Sequence, residues 1–173
     1  MNKGVVLALF LLTAVPARAD DAVMAAANGF YSVSTAITPG GGIPGIAGRA
    51  RFQPLLTPRL NKALADAAAA EIRFKARNKI SPPLMEGDIF SSLFEGPTAW
   101  KVGACLGDAK VQRCAVALSR QDPGQKPVAW TDTLVLAYAD GWKVDDIAYD
   151  ANFAFGNTGT LSEMLKMVLS EAP

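Results

Sequence analysis

No histidine occurs among the 173 residues, cysteine occurs only twice, and charged side chains make up just 19% of the chain. Without imidazole, Ser-His-Asp and Cys-His nucleophile systems and histidine-bound zinc have no donor. The 17 Lys and Arg against 16 Asp and Glu leave a formal net charge of +1. Binding to a phosphate backbone needs many clustered cations to release counterions, so nucleic acid is not an expected partner. No continuous apolar run reaches the ~18–20 residues of a membrane-spanning helix, so no transmembrane segment is expected. Calcium-loop spacing and paired-cysteine metal motifs are also missing, and neither a metal nor another cofactor is expected.

What is present is apolar bulk. Half of the chain, 50%, is hydrophobic, and the length suits one domain with its own core. Residues 1–19 read as a secretory signal peptide. Lys3 gives the positive start and Val5 to Val15 the short apolar run. Pro16 breaks the helix before an Ala17-Arg18-Ala19 cleavage site. Cleavage after Ala19 leaves residues 20–173 as the domain of a periplasmic or secreted protein. In such an oxidising compartment Cys105 and Cys114, flanking the Gly107-Asp108-Ala109 turn, face each other if the turn centres on residues 109 and 110. They then form a disulfide; otherwise they are two small apolar residues that never meet.

Asp21 to about Ile37 reads as an Ala-rich helix, and the stretch from Pro39 to Gly48 as a glycine-rich loop. Its Gly40-Gly41-Gly42-Ile43-Pro44-Gly45 matches G-x-G-x-x-G, but it follows a helix rather than a strand, and Pro44 lacks the N–H that would cradle a phosphate. It is a loop, or a lid over a cavity mouth. Thr57-Pro58 starts a second helix running to about Asn78, with Thr57 as N-cap, before Pro82-Pro83 stops it. Leu60, Leu64, Ala67, Ala68 and Ile72 mark its inner face, and Glu71 and Lys75 an i,i+4 pair.

Strands follow: a short one at Ile89-Phe90, then Trp100 to Leu106, Lys110 to Ser119, Val128 to Tyr138 and Trp142 to Tyr149. Asp140-Gly141 signals a hairpin. Thr160-Leu161-Ser162-Glu163 is a capping box opening a last helix that turns Leu161, Met164, Leu165 and Val168 inward. Helices segregated beside an antiparallel meander of four to five strands define the α+β class.

Alternation sets Trp130, Asp132, Leu134, Leu136 and Tyr138 on one face of their strand, and Trp142, Val144, Asp146 and Ala148 on one face of the next. If the hairpin turns at residues 139–141, Tyr138 faces Trp142, Leu134 faces Asp146, and Asp132 lies diagonal to Asp146 at about 7–8 Å. Two carboxylates would then share an apolar, aromatic face, where desolvation favours the protonated acid. A bulge in the last strand would substitute Asp145 for Asp146. Asp132, Asp146 and Asp88 are the candidate acid/base residues. Their structural alternative is to accept backbone hydrogen bonds or to pair with Arg73, Arg77 or Lys143. Trp100, Trp130, Tyr138 and Trp142, with Asp132 and Asp146, are the candidate ligand-binding set; these aromatics, with Phe90 and Phe94, equally serve as core filling.

The segment Trp130-Thr131-Asp132-Thr133-Leu134-Val135-Leu136, the run Gly141 to Tyr149 and the upstream Gly87-Asp88 resemble a nuclear transport factor 2-like domain, and more closely the bacterial family called domain of unknown function 3828. The likeness spans residues 25–170. It implies a cone in which a curved sheet wraps a long helix, in an exported protein without an assigned activity. Pocket-histidine mechanisms of wider relatives do not carry over to a chain without histidine.

Three functions remain open from the sequence. The first is a non-enzymatic domain that binds a small apolar ligand or an envelope protein in or beside the cone. The second is a small lyase or isomerase with a pocket Asp as base. The third is an immunity- or inhibitor-type protein acting through an exposed sheet face, where a homodimer contact also remains open.

Overall fold

The computed structural model describes residues 17–37, 41–78 and 86–171. Residues 1–16, which carry the apolar run of the expected signal peptide, and the Pro82-Pro83 stop lie outside the described residues.

The helix α1 spans Ala17–Ile37, beginning before the expected Asp21. Val23, Ala27, Phe30, Tyr31 and Ser34 fall on one face and are buried, the spacing of a helix seated on a core. A short helix α2, Ile46–Phe52, occupies the end of the stretch expected to be all loop. The helix α3, Pro58–Arg77, starts as its sequence dictates: the Thr57 hydroxyl accepts from Leu60 N at 3.2 Å and Pro58 fills the first helical position.

Five antiparallel strands follow: β1 Ala99–Gly107, β2 Val111–Arg120, β3 Val128–Tyr138, β4 Trp142–Tyr149 and β5 Gly159–Thr160. They pair in sequence order as an open meander, closed at its C-terminal side by α4, Leu161–Glu171. The class is α+β, as expected. The α4 start is the expected capping box, with Glu163 N donating to Thr160 Oγ1 at 3.2 Å and Thr160 N to Glu163 Oε2 at 2.8 Å. Leu161, Met164, Leu165 and Val168 are all buried.

One face of the sheet carries the core. Val102, Cys114, Val116, Leu118, Trp130, Leu134, Leu136, Val144, Ile147 and Tyr149 point into it from β1 to β4. α1 lies across β1, β3 and β4, while α3 packs on α4 and β4. The rings of Phe30, Phe52 and Phe90 meet between them, with centroids 4.7–5.6 Å apart. Side chains thus occupy the space beneath the sheet, and burying each aromatic against leaving it in water is worth about 1.5–3 kcal/mol.

Four details depart from the sequence reading. Ile89-Phe90 forms no strand; residues 86–98 run as bends and turns until β1 begins. Ile72 is 68% exposed rather than inward, and Glu71 takes the half-buried position beside Ala67 and Ala68. The Glu71–Lys75 ion pair is not formed, while Lys62 and Asp66, one turn apart on the same helix, do pair at 2.6 Å. Finally, the β3–β4 ladder begins with the expected Tyr138↔Trp142 pair but shifts register between Val135 and Leu136, so Leu134 faces Ile147 and Val135 faces Asp146. The bulge turns Ile147 and Tyr149 inward in place of Asp146 and Ala148, and it removes the diagonal Asp132–Asp146 arrangement.

Candidate functional site

The polar centre of the molecule lies where the irregular 86–98 segment crosses the inner face of β3. Alternation along β3 drives Asp132 inward, to 0% exposure. Its carboxylate accepts hydrogen bonds from Ser92 N at 2.7 Å, Trp130 Nε1 at 3.1 Å and Asp150 N at 3.2 Å, and from the Ser92 hydroxyl. These donors are amides, a hydroxyl and an indole. Lys143, one of the expected partners, donates instead to the Pro54 carbonyl at 2.8 Å.

Asp88 is the second buried carboxylate, 3% exposed. Its Oδ1 accepts from Phe90 N at 2.7 Å and its Oδ2 from the Ser91 hydroxyl at 3.2 Å. Ser91 and Ser92 therefore serve the two acids in turn. Asn157 closes the nest, its amide donating to the carbonyls of Asp88 and Ser91 at 2.6 and 2.7 Å. Tyr149 donates to the Ile89 carbonyl at 2.6 Å. Gly96 is required here: its φ is +73°, and a Cβ would lie 2.5 Å from Asp88 Oδ2.

Burial pushes the Asp88 carboxyl up from 3.8 to about 6; the bonds from Phe90 and Ser91 pull it down, and the charge of Asp132 adds to the rise. The Tyr31 hydroxyl, fully buried and without a hydrogen-bond partner among the described residues, is raised well above its usual value by burial and then by Asp132 and Asp88. Asp88 is thus the carboxylate that the structure brings into the field of Asp132. Asp88 also lines a small cavity of about 120 Å³ with Phe90, Ile37 and the glycine segment 41–45.

The other sequence candidates sit apart from this nest. Asp146 Oδ1 accepts Ser162 N at 3.0 Å and Ile147 N at 2.9 Å, which caps α4. Burial alone would raise the Asp145 carboxyl, but Arg59, at 2.9 Å, and the Thr57 hydroxyl, at 2.6 Å, hold it below its ordinary value. Trp100 stacks on Tyr31 with centroids 6.3 Å apart, and its Nε1 donates to Asn28 at 3.1 Å. Tyr138, 60% exposed, meets Trp142 edge-on at the tip of the β3–β4 hairpin. Of the expected ligand-binding set, then, Trp130 and Asp132 are together, and Tyr138, Trp142 and Asp146 lie elsewhere.

Sequence reasoning named Phe94 as core filling or a pocket aromatic, and it missed Phe153 and Phe155. Leu93, Phe94, Phe153 and Phe155 line an apolar cleft of about 230 Å³, with Phe155 89% and Phe94 40% exposed. Phe153 also packs edge-on against Trp130, with centroids 5.8 Å apart. The signal was available in Asn152-Phe153-Ala154-Phe155-Gly156, where two phenylalanines fall in a turn-like stretch after the last long strand.

Cys105 and Cys114 pair across β1 and β2 and are joined by a disulfide, which points to an oxidising compartment. Among the described residues no helix is long and apolar enough to cross a membrane, and no three His, Cys, Asp or Glu side chains are placed to hold a metal ion. Comparison with protein-family models, curated proteins and solved structures returns no match for this chain.

Proposed function

We propose that the protein is an exported, non-enzymatic binding domain of the nuclear transport factor 2-like type, which takes an apolar group of a small ligand or envelope partner into the cleft at its loop end. The observation that carries this reading is Phe155, bare to solvent on the lip of the apolar cleft of about 230 Å³. An exposed aromatic beside concave apolar surface is the arrangement that desolvates on binding. The disulfide supports the exported setting.

A lyase or isomerase has less to draw on. Asp132 is held by donors from Ser92, Trp130 and Asp150. The cavity beside Asp88, about 120 Å³, is about half the size of the aromatic cleft.

Trp130 touches Phe153, which lines the cleft, so a form keeping only this tryptophan (Trp100→Phe, Trp142→Phe) reports on occupancy. Titration with an anilinonaphthalene sulfonate probe should quench Trp130 saturably, and Phe155→Ser should weaken the quench about tenfold or more, the scale of a lost aromatic anchor. A quench of equal affinity in Phe155→Ser, or none at all, overturns the reading.

A further inference from the structure

A second cleft, away from the aromatic one, lies between α2 and α3 and encloses about 180 Å³. It has a floor of Ala68 and walls of Ile43 and Ile72. Three charged groups stand around it: Glu71, Arg49 and Lys75. Glu71 Oε1 is buried and accepts no hydrogen bond from the described residues, although Lys75 stands one turn further along the same helix. Arg49 spends Nη1 on the Pro44 carbonyl at 2.7 Å, and among the described residues its other N–H groups meet no acceptor. A buried carboxylate oxygen without a donor costs free energy that an incoming donor recovers.

We propose that this cleft binds a small zwitterion with an apolar side chain, of the size of one free amino acid, its ammonium on Glu71, its carboxylate toward Arg49 and Lys75, and its side chain against Ile43, Ala68 and Ile72. The size follows from the volume, which equals about six waters at liquid density and is too small for a peptide of several residues. The charge pattern selects the class. A simple cation is repelled by Arg49 and Lys75, and a simple anion leaves the buried Glu71 oxygen without a donor, while a molecule carrying both charges answers all three.

Burial raises the Glu71 carboxyl from 4.5 to about 7. Only its ionised form pairs with an ammonium, so affinity should fall as pH drops through 7. Arg49 from α2 is the charged group facing it across the cleft, and Lys75 stands one turn along its own helix; the 41–45 segment contributes Ile43 and Gly45, which carry none.

The experiment is calorimetric titration of the oxidised protein with L-leucine, leucine methyl ester and N-acetylleucine. L-Leucine should bind saturably, and each derivative, lacking one of the two charges, about tenfold more weakly or worse. Glu71→Gln should lose the same factor and abolish the pH dependence near 7. Gly45 sits at φ −62° and lines the cleft, and a Cβ there meets no atom within 4 Å. Gly45→Leu therefore keeps the backbone and fills the space, and should abolish binding without lowering the melting temperature. No saturable heat at millimolar leucine, equal affinity for both derivatives, or unchanged affinity in Glu71→Gln or Gly45→Leu each overturns the proposal. Failure here leaves the Phe155 cleft untouched, because the two share no residue.

Discussion

Asp132 shows how a fully buried carboxylate is held without a cation. Its lone pairs take up the amides of Ser92 and Asp150, the Ser92 hydroxyl and the Trp130 indole. Removing it strands those donors in the core, each at about 1–3 kcal/mol. Asp132→Ala should therefore lower the unfolding free energy by several kcal/mol, read from urea midpoints. A loss below about 1 kcal/mol would mean that the donors find other acceptors. Asp88 makes the opposite contribution. Its carboxyl is raised to about 6 in the folded chain from an ordinary 3.8. Between those values the native state binds more protons than the unfolded one, so this residue makes stability decline as pH rises from about 4 to 6, by up to about 3 kcal/mol. Asp88→Asn should remove that decline, so the variant's stability rises more with pH across the window than the wild type's, measured by thermal unfolding across pH. A wild-type curve that rises there as steeply as the variant's would refute the assignment.

At the scale of elements, the bulge in β4 is the organising feature. It places two successive acids beside two helix starts. Asp145 takes Thr57 and Arg59 at the start of α3, and Asp146 takes Ser162 N at the start of α4. Both carboxylates meet the positive end of a helix dipole. Arg59 closes the loop by donating to the Ser162 hydroxyl at 3.0 Å. Asp146→Ala should cost about 1 kcal/mol, as loss of a cap does, and amide exchange should speed up in the first turn of α4 and not in α1. The caps at Thr57-Pro58 and Thr160–Glu163, the Asp140-Gly141 hairpin and the β3 and β4 spans were legible because each is written in neighbouring residues. Asp140 does adopt the left-handed φ of 55° that such a turn demands. A bulge was one of two alternatives, but its outcome was not legible: it buries neither Asp145 nor Asp146, because Ile147 and Tyr149 bury better, a comparison that needs the partner strand and α1. Glu71 and Ile72 exchanged roles for a similar reason, since adjacent positions on α3 differ only in which neighbour covers them. The 86–98 segment reads as a strand at Ile89-Phe90 by composition, yet its hydrogen bonds go to side chains from Asp132, Tyr149 and Asn157, which are distant in sequence.

Taken whole, the molecule fills its interior with rings and leaves its described clefts at the periphery. The cystine is the covalent part of that design. Cys105 and Cys114 lie 9 residues apart, and closing so short a loop restricts the unfolded chain by about 2–3 kcal/mol. Reduction should lower the denaturation midpoint accordingly. Mass spectrometry of the protein should find it two hydrogens lighter than the dithiol; a dithiol mass would remove the covalent link and the argument for an oxidising compartment with it.

The staple also sits at a vulnerable place. β1 is the outermost strand, and its ladder with β2 is already interrupted between Val102 and Cys105. With the sulfurs bonded, β1 stays tethered to β2 at Cys114 even when the rest of the ladder opens. Oxidation thereby guards against exchange of β1 between chains, a protection that lasts as long as the surroundings stay oxidising.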